Sequence, residues 1–185
     1  MTTEGRDTLC KQCFNGAADA DAFCSDTCMK RYDAELSPRR VFLIGEHNPY
    51  GSDPRFALYP EPTHSAGGRL CRLLGMQSGA YLHAFERRNL LTLARWSVPA
   101  AREAANRVRA ELREGDALVL LGARVSSAFG YPFAPLAEHR GLVHGAVGYE
   151  VLVIPHPSGL SRAWNDPAMG PRVRAAVEAL RAARG

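Results

Sequence analysis

Three short apolar runs constrain this chain more than any other feature. Val41-Phe42-Leu43-Ile44 closes on Gly45, Ala117-Leu118-Val119-Leu120-Leu121 closes on Gly122, and Tyr149 to Ile154 closes on Pro155. Runs this short, apolar on both alternating faces and bounded by Gly or Pro, read as strands buried on both sides. Helical stretches separate them. Ser65 to Leu74 has Ser65 as its N-cap and Gly75 as its stop. Pro99 to Arg113 begins on proline, ends before Gly115 and carries Ala101, Ala104, Ala105, Val108 and Leu112 on one face. Arg124 to Phe129 reads as a short helix, and Pro171 to Ala183 puts Val173, Val177 and Leu180 on one stripe. Tyr81 to Leu91 is ambiguous and enters a strand near Arg88 to Leu91. Strands alternating with helices imply a three-layer α/β/α sandwich with a mostly parallel central sheet. Ligands in such sheets bind beyond the carboxyl ends of the strands, so the loops after Ile44, Leu121 and Ile154 are expected to share one rim.

Ahead of this domain, which we bound at residues 37–185, lie a polar tail (1–9) and a cysteine cluster (10–36). Cys10-x2-Cys13 and Cys24-x3-Cys28 stand ten residues apart, and the fifth cysteine, Cys71, is alone. Two short-spaced thiolate pairs converge readily on one tetrahedral ion, usually zinc. Phe23 to Cys28, followed by Met29-Lys30-Arg31-Tyr32, resembles the second half of a small treble-clef zinc finger. A closed set of four thiolates leaves no open coordination position, so the expected role of the single Zn2+ is structural. An iron–sulfur cluster is the alternative occupant.

Composition enters as exclusion. No apolar run approaches the roughly 20 residues that span a bilayer, and the polar opening Met1 to Asp7 does not read as a signal peptide. The chain is therefore expected to be cytoplasmic, with no membrane partner; its oligomeric state is left open by the sequence, with a monomer as the expectation. A net charge of +4, carried mostly by arginine, fits phosphate contact and fits a solvated basic face equally well.

Two loops carry candidate chemistry. The first, Gly45-Glu46-His47-Asn48-Pro49-Tyr50-Gly51, follows the first strand. The second, Pro155-His156-Pro157-Ser158-Gly159-Leu160-Ser161-Arg162, follows the third, and its prolines restrict where the His156 imidazole points. In this order and placement they resemble the two signature motifs of uracil-DNA glycosylases. One type carries Gly-Gln-Asp-Pro-Tyr-His early and His-Pro-Ser-Pro-Leu-Ser late, and others carry Gly-x-Asn-Pro-Gly or Gly-Glu-x-Pro-Gly early. The late loop agrees at five of six positions and departs at Gly159. The resemblance covers roughly residues 40–184 and lies in motifs rather than continuous similarity.

The resemblance implies DNA as partner and hydrolysis of the bond joining a flipped base to its sugar. It gives His156 the task of stabilising the departing base and Asn48 that of positioning water. Glu46 supplies a nearby carboxylate, as does Asp53. Tyr50 would pack beside the C5 edge of a pyrimidine, Phe56 (or Tyr59) would stack on it, and Asn89 would read its Watson–Crick edge. Ser158, Leu160, Ser161 and Arg162 would meet DNA, with Leu160 as a wedge. The small residues of Ser65-Ala66-Gly67-Gly68 resemble a helix start that lets a ligand approach, and Trp164-Asn165 would anchor the His156 loop. No partner pattern assigns a role to His47, His64, His83, His139 or His144. The first loop has one residue more than the family motif between its Gly and its Pro-Tyr, and an Asn where the most active type has Asp. A non-catalytic binder of modified bases or single-stranded DNA with the same fold is therefore an alternative, and so is a chain whose working part is the zinc finger.

Overall fold

The computed structural model describes residues 39–47, 51–92, 95–143, 146–158 and 161–183. All of them fall in the unit Arg39–Gly185. The cysteine cluster at Cys10, Cys13, Cys24 and Cys28, the first-loop residues Asn48 and Tyr50, and Leu160 lie outside the described residues.

In chain order the elements are β1 (Val41–His47), α1 (Ala66–Leu73), α2 (Ser78–Ala84), β2 (Glu86–Leu91), α3 (Val98–Glu111), β3 (Ala117–Leu121), α4 (Ala123–Ala128), β4 (Glu138–Val143), β5 (Ala146–Ile154) and α5 (Met169–Ala182), with short 3-10 turns at Pro54–Phe56 and Arg162–Asn165. The strands form one sheet in the order β2-β1-β3-β5-β4. β2, β1, β3 and β5 run parallel, and β4 pairs antiparallel with β5 at the edge. The chain leaves β1 toward β2 on one side and returns to β3 on the other. The crevice beyond the carboxyl ends of β1 and β3 is thus the topological switch point of the sheet.

Side-chain alternation along the strands divides the core in two. Val41 and Leu43 of β1, with Val119, Leu121, Leu152 and Ile154, pack on one face against α1, α2 and α5. Phe42 and Ile44, with Leu118, Leu120, Val151 and Val153, pack on the other against α3 and α4. The stripe expected on the Pro99 helix is buried at all five positions, as are Val173, Val177 and Leu180. At the end of the sheet opposite the crevice, Asp116 is 3% exposed. It accepts two hydrogen bonds from the Arg40 guanidinium, at 3.1 and 2.5 Å, and one from the Arg113 amide at 2.8 Å. The three donors offset its desolvation.

The structure sharpens or corrects the reading of the strands. β1 does not stop at Ile44: it runs through Gly45 to His47, pairing Gly45 with Asn89 and His47 with Leu91 of β2. Gly45 is a close-approach residue inside the strand, because a Cβ there would lie 2.3 Å from Asn89 Oδ1 and 3.1 Å from Leu58 Cδ2. Tyr81 to Leu91 resolves into the end of α2 and the whole of β2. The edge strand β4, Glu-His-Arg-Gly-Leu-Val, was not expected from sequence, and β5 begins at Ala146 rather than Tyr149. Its charged composition suits a strand with one open edge, and Gly141 sits under the ring of its partner Tyr149, where a Cβ would come within 1.9 Å. Among the described residues, no helix is long and apolar enough to cross a membrane.

Candidate active site

His156 follows β5 by two residues and is fixed from three directions. Its backbone carbonyl accepts a 2.7 Å hydrogen bond from the Trp164 indole N–H. This bears out Trp164 as the anchor of the loop. Its Cβ presses on Gly122 at the end of β3, where an added Cβ would lie only 2.9 Å away. Gly122 has φ 90° and ψ 171°, a region essentially restricted to glycine, and its N–H donates to Ile154 O at 2.9 Å. The third constraint fixes the tautomer: the Ser158 amide donates to His156 Nδ1 at 3.1 Å. A ring nitrogen that accepts carries no proton, so in the neutral imidazole the proton sits on Nε2 and that edge is a hydrogen-bond donor.

Burial pushes the His156 titration below its ordinary range. The Glu46 carboxylate opposes that shift and the charge of His47 adds to it. His156 is therefore neutral near pH 7. The strand period explains how Glu46 and His47 flank it differently. Glu46 continues the Phe42 and Ile44 side of β1 and meets Arg124 of α4 at 3.2 Å; its side chain is 18% exposed. Arg124 in turn lies 5.9 Å over the Trp96 ring. His47, which no sequence pattern had singled out, acts on His156 through its charge; knowing that β1 extends past Gly45 is what reveals it. Arg124 carries no sequence signal beyond following Gly122.

Asn89 is paired in register with Gly45, the residue before Glu46, on the same rim. Its Oδ1 is buried, and no donor among the described residues reaches it. An amide oxygen held out of water without a partner is costly, by about 1–3 kcal/mol, and a ligand that donates to it relieves that cost. Beside it, the Arg87 guanidinium donates to Ala57 O at 2.9 Å and lies 5.7 Å over the Tyr59 ring. Phe56 meets that ring edge-on at 5.7 Å and is 45% exposed. An apolar ring so open to water is available for stacking. Ser158 and Ser161 are half-buried in the His156 loop, with the Ser161 amide donating to Ser158 O at 3.3 Å, and Arg162 is exposed at the start of the following 3-10 turn.

Two other candidates are engaged elsewhere. Asp53 caps the 3-10 turn and takes the amide and guanidinium of Arg55. Gly67 and Gly68 admit the protein's own backbone: added Cβ atoms would lie 2.2 Å from Leu58 O and 2.6 Å from Pro60 O. Ser65 caps this helix by accepting from the Gly68 amide at 3.0 Å, so the glycines there serve packing of the loop rather than approach of a ligand. Among the described residues, no group of three or more His, Cys, Asp or Glu is arranged to hold a metal ion.

The chain matches no protein-family model, and no curated protein matches it.

Proposed function

We propose that the chain is a monofunctional DNA glycosylase of the uracil-DNA-glycosylase type, hydrolysing the N-glycosidic bond of uracil or another modified pyrimidine flipped out of DNA. The observation that carries the reading is the His156 imidazole, whose Nδ1 accepts from the Ser158 amide and so leaves Nε2 as the donor, fixed at the carboxyl end of β5 beside the switch point of the sheet. When the bond from the sugar's anomeric carbon to the base nitrogen breaks, its electron pair leaves with the base and negative charge gathers on a base carbonyl oxygen. A fixed N–H donor aimed at that oxygen is worth more in the transition state than in the ground state. Water attacks the anomeric carbon, oriented by Asn48, and its proton passes to a nearby base, for which Glu46 is the candidate. Asn89 offers the base N–H a buried amide oxygen that no donor among the described residues reaches, with Tyr50 and Phe56 bounding it. The four thiolates of Cys10, Cys13, Cys24 and Cys28 are a donor set suited to one zinc ion. Bound there, zinc would hold the N-terminal segment folded and leave the chemistry to the residues above.

The test is incubation with oligonucleotides carrying different modified bases, followed by alkali cleavage at abasic sites. Abasic product from wild type and none from His156→Ala is the expected result. Product that persists in His156→Ala would overturn this assignment of the leaving-group donor. One observation favours a second reading, base or single-strand binding without cleavage: the Glu46 carboxylate is engaged by Arg124 at 3.2 Å. Tight binding with no abasic product across the panel would select it.

A further inference from the structure

A groove of about 780 Å³ opens beside the His156 loop, between α1 and α5. Pro157, Ser158 and Trp164 form its near end, so it begins where the candidate active site stops. Arg69 and Arg72 line it from α1 and Arg174 from α5; Asp166 and Glu178 line it too. Three guanidinium groups thus face two carboxylates. Asp166 is occupied, accepting from the Ala168 amide at 2.9 Å. Glu178 lies one helical turn beyond Arg174, roughly 6 Å further from the loop.

Two of the arginines are anchored without being used up. Arg72 donates from one terminal nitrogen to Thr63 O at 3.1 Å, and Arg174 donates from Nε to Leu73 O at 3.0 Å. Arg174 also lies flat against Gly75, where a Cβ would come within 2.9 Å of its guanidinium carbon. Each keeps most of its five donors for a ligand while its side chain is already positioned, which lowers the entropy lost on binding. Anchored forks suit oxyanions that accept bidentately, phosphate above all, and the Ser158 hydroxyl adds a further donor at the near end. Trp164, tied to the His156 carbonyl, gives the same end an aromatic wall on which a base can stack.

We propose that this groove binds the phosphodiester backbone of the nucleic-acid strand on one flank of the flipped nucleotide, with the adjacent base against Trp164. The proposal rests on the nucleic-acid reading given above. It makes Arg72 and Arg174 contacts to successive phosphates, remote from the chemistry.

The test is a fluorescence-anisotropy titration of the full chain with an unmodified single strand of about 20 nucleotides, a length that covers more than one site of this kind, over a range of salt. Arg72→Gln with Arg174→Gln is expected to reduce the slope of log affinity against log salt by about 1.4, two phosphates at about 0.7 each on a single strand. Glu178→Gln is expected to tighten binding, a gain that misfolding does not produce. An unchanged slope in the double variant, at unchanged melting temperature, would overturn the proposal. So would displacement of the strand by a poly-glutamate peptide at equal charge concentration, which would mark the groove as a site for acidic peptides. Excision is read in parallel on the same strand carrying uracil. Excision with an unchanged slope removes the groove proposal alone, and a reduced slope without excision from any modified base removes the glycosylase reading alone.

Discussion

Replacing Gly122 by alanine tests whether His156 is held by the end of β3. Two costs are expected. The backbone at φ 90°, ψ 171° is strained for any residue with a Cβ, by about 1–3 kcal/mol. The added methyl would also sit 2.9 Å from His156 Cβ, whereas carbon atoms rest about 3.5–4.0 Å apart. His156 must therefore retreat by roughly 0.6–1.1 Å, stretching the bond from Trp164 to its carbonyl, which is worth about 0.5–1.5 kcal/mol. The sum is about 1.5–4.5 kcal/mol, or roughly 3–18 °C in melting temperature for a chain of this size. Under the proposed role of His156 as leaving-group donor, a displacement near 1 Å lowers the rate by about 100-fold. Gly130→Ala is the control: Gly130 also has positive φ, 74°, but nothing lies within 4 Å of its added Cβ. It is expected to cost only the backbone component, about 1–2 kcal/mol, and to leave His156 undisturbed. Thermal melts of both variants, with the His156 ring resonances followed by NMR, decide the matter. If Gly122→Ala matched Gly130→Ala in melting temperature and left those resonances where they were, the reasoning would be refuted.

Because burial lowers the His156 titration, the unfolded chain takes up this proton before the folded one does. Stability contributed here is present above the unfolded value, near 6.5, and falls as pH drops from there toward the lowered folded value. Melting temperatures of wild type and His156→Gln are expected to converge across that window, and parallel curves would contradict it. Glu46→Gln removes the charge that raises His156 and should lower its titration further, read from the same ring resonances; an upward move would show the coupling to be misassigned. At the far end of the sheet, Asp116→Ala leaves Arg40 without its buried carboxylate and is expected to cost about 3–5 kcal/mol in denaturant unfolding while sparing the proposed base excision. A cost under about 1 kcal/mol, typical of a surface pair, would remove Asp116 from the folding core.

What could be read from the sequence follows from the range of the interactions involved. The three buried strands and the Pro99 helix announce themselves because burial on both faces, or on one stripe, leaves a periodic trace in local sequence. The loop after β5 was legible for a similar reason: the prolines on either side of His156 restrict the backbone within a few residues. What escaped depends on partners far along the chain. Gly45 looks like a strand terminator until Asn89, 44 residues later, is seen filling the space of its missing side chain. Arg124 is an ordinary helix residue until Glu46 meets it. Strand β4 was hidden because an edge strand needs only one apolar face and tolerates the charges and glycine that argue against a strand locally. The glycines of α1 misled in the opposite sense, since small residues serve close packing of a loop as well as approach of a ligand.

The continuation of β1 through Gly45 has a consequence for how this rim can change in length. Residues along a strand face alternate sides, so losing or gaining one residue between Gly45 and the loop would carry Glu46 away from Arg124 and send the neighbouring imidazole across to replace it. A change of two would restore the alternation and merely lengthen or shorten the reach. Variation in this segment is therefore expected to come in pairs, and a single-residue difference should be accompanied by exchange of the side chains on either side of it.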